Sequence, residues 1–151
     1  MQEWEKAYAA GLMDGEGSFH IGHQTPTGGA IAQDYQPQVQ CTMADLPPIQ
    51  FLLDRWGGKV INKKPHGSNK KPVYYHWYLR RGEMASFIED ILPYLLIKRD
   101  RAELLITYIN SRTVTPTGRG SSTPPEETQR RYEFYRQMKV LNGKEVVTSN
   151  S

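Results

Sequence analysis

Two glycines, Gly11 and Gly15, stand one helical turn apart in a stretch of otherwise helical spacing, and an acidic turn follows at once. Trp4, Tyr8 and Leu12 recur every fourth position as an apolar stripe. Ala7, Gly11 and Gly15 form a second stripe at the same spacing, with Ala10 beside it. Glycine inside a helix costs about 1 kcal/mol relative to alanine, so two on one stripe need a reason. Close approach of a second helix supplies one, because side chains there would hold the backbones apart. Asp14 and Glu16 then lead through Gly17 into an alternating segment, Ser18 to His23, with Phe19 and Ile21 on one side and Ser18, His20 and Gly22 on the other. A helix that ends in carboxylates and passes straight into a strand delivers those carboxylates to a fixed place.

The remaining pattern reads as a mixed α+β domain. Alternation resumes from Ile31 to Thr42: Tyr35, Pro37, Val39 and Cys41 face one way, Asp34, Gln36, Gln38 and Gln40 the other. Asp45 opens a helix over Leu46 to Trp56, with Pro47 and Pro48 in its first turn, and Gly57-Gly58 ends it. Lys59 to Lys64 and Val73 to Arg81 read as a second hairpin. Helices are expected over Met84 to Leu92 and Leu95 to Ser111, then a Thr/Ser/Gly/Pro linker over 113–123. A last helix runs to about Leu141, opened by a capping box from Thr123 to Glu126. The 151 residues suit one domain over 1–141 with a frayed tail over 142–151. No internal repeat is present.

Composition removes several classes. Hydrophobic residues make up 38% and charged residues 23%, which excludes a disordered polyelectrolyte. A single cysteine, Cys41, excludes a disulfide framework within the chain and any multi-cysteine zinc site. His20, His23, His66 and His76 fit no common zinc spacing. The N-terminus lacks a signal-peptide pattern and no apolar run nears the roughly 18 residues of a membrane span. A soluble protein of a reducing compartment is expected, in the cytoplasm of a bacterium or phage host or in an organellar matrix, and not secreted.

The net charge of +3 is unevenly spread. Lys59, Lys63, Lys64, Lys70, Lys71, Arg80 and Arg81 fall between Gly57 and Arg81 with no acid among them, so the rest carries 12 basic residues against 16 acidic, a net −4. Interleaved with Tyr74, Tyr75, Trp77 and Tyr78, this block suits a phosphate-contacting surface. It also suits a solvated hairpin whose lysines guard its edge.

The segment Ala9-Ala10-Gly11-Leu12-Met13-Asp14-Gly15-Glu16-Gly17-Ser18-Phe19 resembles the signature of the LAGLIDADG homing endonucleases. Gly11, Leu12, Asp14 and Gly17 match it directly; Ala9, Met13, Gly15 and Glu16 are modest replacements. The resemblance implies an α-β-β-α-β-β-α fold with a four-stranded antiparallel DNA-binding sheet and extra C-terminal helices. It makes Glu16 the carboxylate that binds a divalent metal, Mg²⁺ or Mn²⁺, at the scissile phosphate, with the Gly15 carbonyl as a second ligand. A later run from Leu92 to Ala102 is similar to a second family motif and makes Lys98 the catalytic lysine. Met43 stands where relatives often carry glutamine, and Pro47 falls where some carry arginine.

The same resemblance turns the amide face toward DNA in the major groove. Ser18, His20, Gln24, Gln36, Gln38, Gln40, Lys59, Lys63, His76, Tyr78 and Arg80 are then the DNA-binding row. One motif without a repeat implies a homodimer that meets along Ala7, Gly11, Asp14 and Gly15 and cuts both strands of a long, near-palindromic site in intron homing. The rival reading is a non-cleaving binder on the same fold, an intron RNA maturase or a DNA-binding regulator.

Overall fold

A computed structural model describes residues 1–24, 34–63, 73–112 and 124–143. Helix α1 (Glu3–Glu16) starts where the Glu5 carboxylate accepts the Gln2 N–H at 2.7 Å. Ala9, Ala10 and Met13 form its buried side. Trp4 and Tyr8 are 60% and 43% exposed, so the stripe with the largest apolar side chains does not face the core. The two alanines do, because only small side chains let the helix lie close on its neighbours. The chain then turns directly into β1 (Gly17–Gln24). A Cβ on Gly17 would lie 2.5 Å from the Met13 Sδ, so only glycine fits beneath that side chain.

Strand β2 (Asp34–Met43) pairs antiparallel with β1 from Gly17 opposite Cys41 to Gln24 opposite Asp34. Helix α2 (Leu46–Trp56) has the expected bounds and ends at Gly57 and Gly58, whose φ angles of 79° and 89° favour glycine. Strands β3 (Lys59–Lys63) and β4 (Tyr74–Tyr78) complete an antiparallel sheet of order β1-β2-β4-β3. Pro37 is tolerated in β2 because the ladder with β4 spans only Gln40–Met43, leaving that part of β2 without a strand on its second side.

Four further elements follow: α3 (Arg81–Ile91), a short 3₁₀ turn (Leu92–Tyr94), α4 (Arg99–Ser111) and α5 (Pro125–Leu141). Phe19, Ile21, Tyr35, Val39, Cys41 and Trp77 from the inner sheet face and Leu79 just past β4 share one core with buried side chains of all five helices except α5's charged pair. Met138 is the buried apolar residue of α5 in that core. The Tyr108 hydroxyl donates to the Tyr35 carbonyl at 2.6 Å and ties α4 to β2.

The boundaries differ from the sequence expectation at three places. Strand β4 ends at Tyr78 and α3 begins at Arg81, where Glu83 accepts the Arg80 N–H at 3.1 Å and the Gly58 N–H at 2.7 Å. The helix expected from Leu95 starts only at Arg99, because the backbone of Leu96 to Lys98 is bound elsewhere. The last helix has Pro124 at its N-cap position. The capping box through Thr123, the linker over 113–123, the strand residues Ile31 to Gln33 and the tail from 144 lie outside the described residues. No helix among the described residues is long and apolar enough to cross a membrane.

Candidate functional site

The end of α1 is tied to the segment before α4 by one carboxylate and one ammonium. Asp14 accepts the backbone N–H groups of Leu96, Ile97 and Lys98 at 2.9, 3.0 and 2.9 Å. Partial burial works against its charge, but these three donors and the Lys98 ammonium outweigh it and hold the carboxyl below its ordinary range. The Lys98 Nζ donates to the carbonyls of Met13 at 3.0 Å and Gly17 at 2.5 Å, where a helix end favours a cation. Burial, then Arg101, lower the Lys98 pKa, while Asp14, Cys41 and Glu16 oppose the shift.

Glu16, on the last turn of α1, is exposed, and its carboxylate takes part in no hydrogen bond or ion pair among the described residues. Its charge acts on Lys98 and also on Cys41, whose thiol is pushed up to about 12 by burial first and Glu16 second. So the structure brings Glu16, Gly15 and Lys98 together at one end of one helix. Among the described residues no three His, Cys, Asp or Glu side chains are grouped to hold a metal. One free carboxylate beside an exposed backbone fits an Mg²⁺-like ion, which keeps several waters and shares its coordination with substrate phosphate.

The outer sheet face carries the amide row. Register puts Ser18 opposite Gln40, His20 opposite Gln38, Gly22 opposite Gln36 and Gln24 opposite Asp34. Gln40 lies opposite Tyr78, and Lys59 lies opposite Tyr78 on its other side. Lys63 pairs with Tyr74. Gly22 leaves the room that Gln38 fills, since a Cβ there would meet the Gln38 Nε2 at 2.6 Å. Arg80 is exposed but sits past the strand as the residue preceding α3.

His76 is on this face, as expected, and is only 7% exposed. Its Nδ1 is 2.6 Å from the Thr42 hydroxyl, its ring lies 5.8 Å from that of Tyr78, and burial with Lys63 lowers its pKa. Thr42, Ile61, Tyr74, Asp34 and Arg81 also belong to the face or its rim; the sequence put Asp34 on that face and Tyr74 and Arg81 in the basic block, but none of the five in the DNA-binding row. For Thr42 and Asp34 the signal was present, because both continue the alternation of Gln36, Gln38 and Gln40. Met43 points the other way and packs against the core.

On α1, Ala7, Gly11 and Gly15 are exposed, and a Cβ added at either glycine would meet nothing within 4 Å. Leu96 and Ile97, held by Asp14, are 87% and 65% exposed. Asp14 is half-buried and spends its carboxylate on that loop rather than on the open stripe.

No protein-family model matches the sequence, and no curated protein sequence matches it. Solved structures do. The homing endonuclease I-CvuI, bound to the I-CreI target with 2 mM Mg and the DNA uncleaved, has a TM-score of 0.74 at 15% identity over 97% of this chain and 87% of that one. The archaeal intron-encoded homing endonuclease I-Vdi141I, complexed with DNA, has a TM-score of 0.67 at 12% identity, over 93% of this chain and 86% of that one. The LAGLIDADG homing endonuclease I-GzeII with its DNA target has a TM-score of 0.64 at 16% identity, over 89% of this chain and 45% of that one. The fold of this chain is the LAGLIDADG homing endonuclease fold.

Proposed function

We propose that the chain is a site-specific DNA endonuclease that hydrolyses both strands of a long, near-palindromic duplex as a homodimer, using a divalent metal. The observation that carries this reading is the exposed, unpaired Glu16 carboxylate at the end of α1, beside Lys98 and continuous with β1 of the polar sheet. A protein that only holds nucleic acid has no need of a bare acid beside phosphate.

In this reading Glu16 and the Gly15 carbonyl hold Mg²⁺ or Mn²⁺. The bound ion supplies charge neutralisation at the phosphodiester and an acidified water. Lys98 has two N–H groups committed to the carbonyls of Met13 in α1 and Gly17 at the start of β1, and keeps a third for an anionic oxygen. Gln36, Gln38 and Gln40 read base edges in the major groove; Ser18, His20, Gln24, Tyr78, Lys59, Lys63 and Arg80 support them through base, sugar or phosphate contacts. Ala7, Gly11 and Gly15 meet the same stripe of a second copy, and Asp14 presents Leu96 and Ile97 at its margin. Intron homing in a bacterial cytoplasm or an organellar matrix suits such an activity.

The test is a cleavage selection with purified protein, Mg²⁺ and a randomised duplex library, with Glu16→Gln in parallel. Cut ends from the wild type alone, converging on a near-palindrome, are expected. Met43 supports a second reading, because a methionine packed on the core cannot hydrogen-bond active-site water. A non-cleaving binder would retain discrete sequences while neither protein cuts, and retained RNA would identify a maturase.

A further inference from the structure

Strand β2 starts inside a charged clamp that the outer face alone does not explain. Asp34 turns its Oδ1 toward Arg112, just past α4, at 3.3 Å and toward Arg131 of α5 at 3.5 Å. Arg131 is itself buried and held by Glu127 at 3.0 Å. The other oxygen, Oδ2, accepts from the Gln36 Nε2, two residues along on the outer face. The Gln36 Oε1 in turn accepts from the guanidinium of Arg81, the first residue of α3.

Chemistry fixes the direction of this chain of bonds. A carboxylate only accepts and a guanidinium only donates, so the carboxamide between them has its nitrogen toward Asp34 and its oxygen toward Arg81. An unclamped glutamine turns its amide over at little cost and offers a base edge either pattern. A clamped one keeps one N–H and one lone pair at set places, which adenine's N7 and N6 amino group match and other edges match less well.

We propose that Asp34 and Arg81 are positioning residues for base readout, and that α4 and α5 take part in it by clamping Asp34, so that Gln36 presents a single amide orientation to the duplex. The inference rests on reading the outer face as a DNA interface. It gives the C-terminal helix pair a task in specificity that the fold alone does not require.

The experiment is binding selection from a randomised duplex library by the wild type, Asp34→Asn, Gln36→Ala and the double variant, with sequence preference read position by position. The wild type is expected to prefer one base by about tenfold at one position in each half-site, within the range a bidentate amide contact provides. Gln36→Ala and Asp34→Asn should each remove that preference at the same position and nowhere else. Their effects should not add, since both act through one amide. A merely structural Asp34 would instead weaken binding to every sequence alike, and that result overturns the proposal, as does an unchanged preference. Should Asp34→Asn fail to fold, exposed Arg81→Ala carries the same test: lost preference at the Gln36 position supports the proposal and an unchanged one overturns it. A wild type that enriches no DNA sequence removes the DNA reading itself, which is a separate outcome.

Discussion

Asp14 accepts three backbone N–H groups from a segment more than eighty residues away, so one carboxylate decides where α4 can begin. Asparagine keeps one acceptor oxygen and no charge, and hydrogen bonds to charged groups contribute about 1.5–3 kcal/mol each, not additively. Asp14→Asn is therefore expected to lower stability by about 2 kcal/mol, measured by urea unfolding at pH 7. The pH dependence has a definite sign. The folded pKa is held below its ordinary 3.8, so the stabilisation is fully present above the unfolded pKa and is lost as pH falls through the folded one. The gap between wild type and variant should close below about pH 4, where the unfolded aspartate takes up its proton. A gap that persists unchanged at pH 2.5 would assign the effect to packing. Asp14 was readable as a helix-end residue, but its partners were not. Nothing in the local pattern around Leu95 to Lys98 marks those amides as captured.

At the scale of elements, what was legible depended on whether the deciding interaction is local. Helix α2 was readable because Asp45, at the N-cap position though without a side-chain cap bond, and the positive-φ Gly57-Gly58 pair bracket it in the sequence itself. The two sheet faces were readable because alternation is a property of the strand alone. The burial of His76 was not, since it comes from Thr42 and Tyr78 across and along the sheet. Nor was the inward side of α1, where small Ala9 and Ala10 face the core and Trp4 does not. The exposed glycines of that helix give a prediction with two opposite signs. Gly11→Ala meets no atom within 4 Å in the single chain, so it should stabilise the monomer by about 0.5–1 kcal/mol, seen by unfolding at low protein concentration. In a helix pair in close contact the same methyl overpacks, at about 1–3 kcal/mol, and should weaken dimerisation about fivefold or more in sedimentation equilibrium. An alanine that stabilises the monomer and leaves self-association unchanged would move the dimer contact off this stripe.

Among the described residues the helices pack on one sheet face and not on the other, and the charge follows that division. Lys59 and Lys63 lie exposed on β3, an edge strand, within a block that opposes an otherwise net-acidic chain. Edge lysines have two physical uses, to neutralise phosphate or to keep another strand from pairing, and salt separates them. Lysines at phosphates release counterions on binding, about 0.9 in the log–log salt slope for each contact on duplex DNA. Replacing both by alanine should then reduce the slope by about 1.8 per protomer and about 3.6 for a symmetric dimer. Fluorescence anisotropy on the selected duplex between 50 and 300 mM KCl measures it. Affinity should fall most at low salt and least at high salt, with base preference unchanged, since phosphate contacts carry no sequence information. If the pair serves only to guard the edge, the slope stays where it was, and the variant shows its loss in light scattering as self-association through β3.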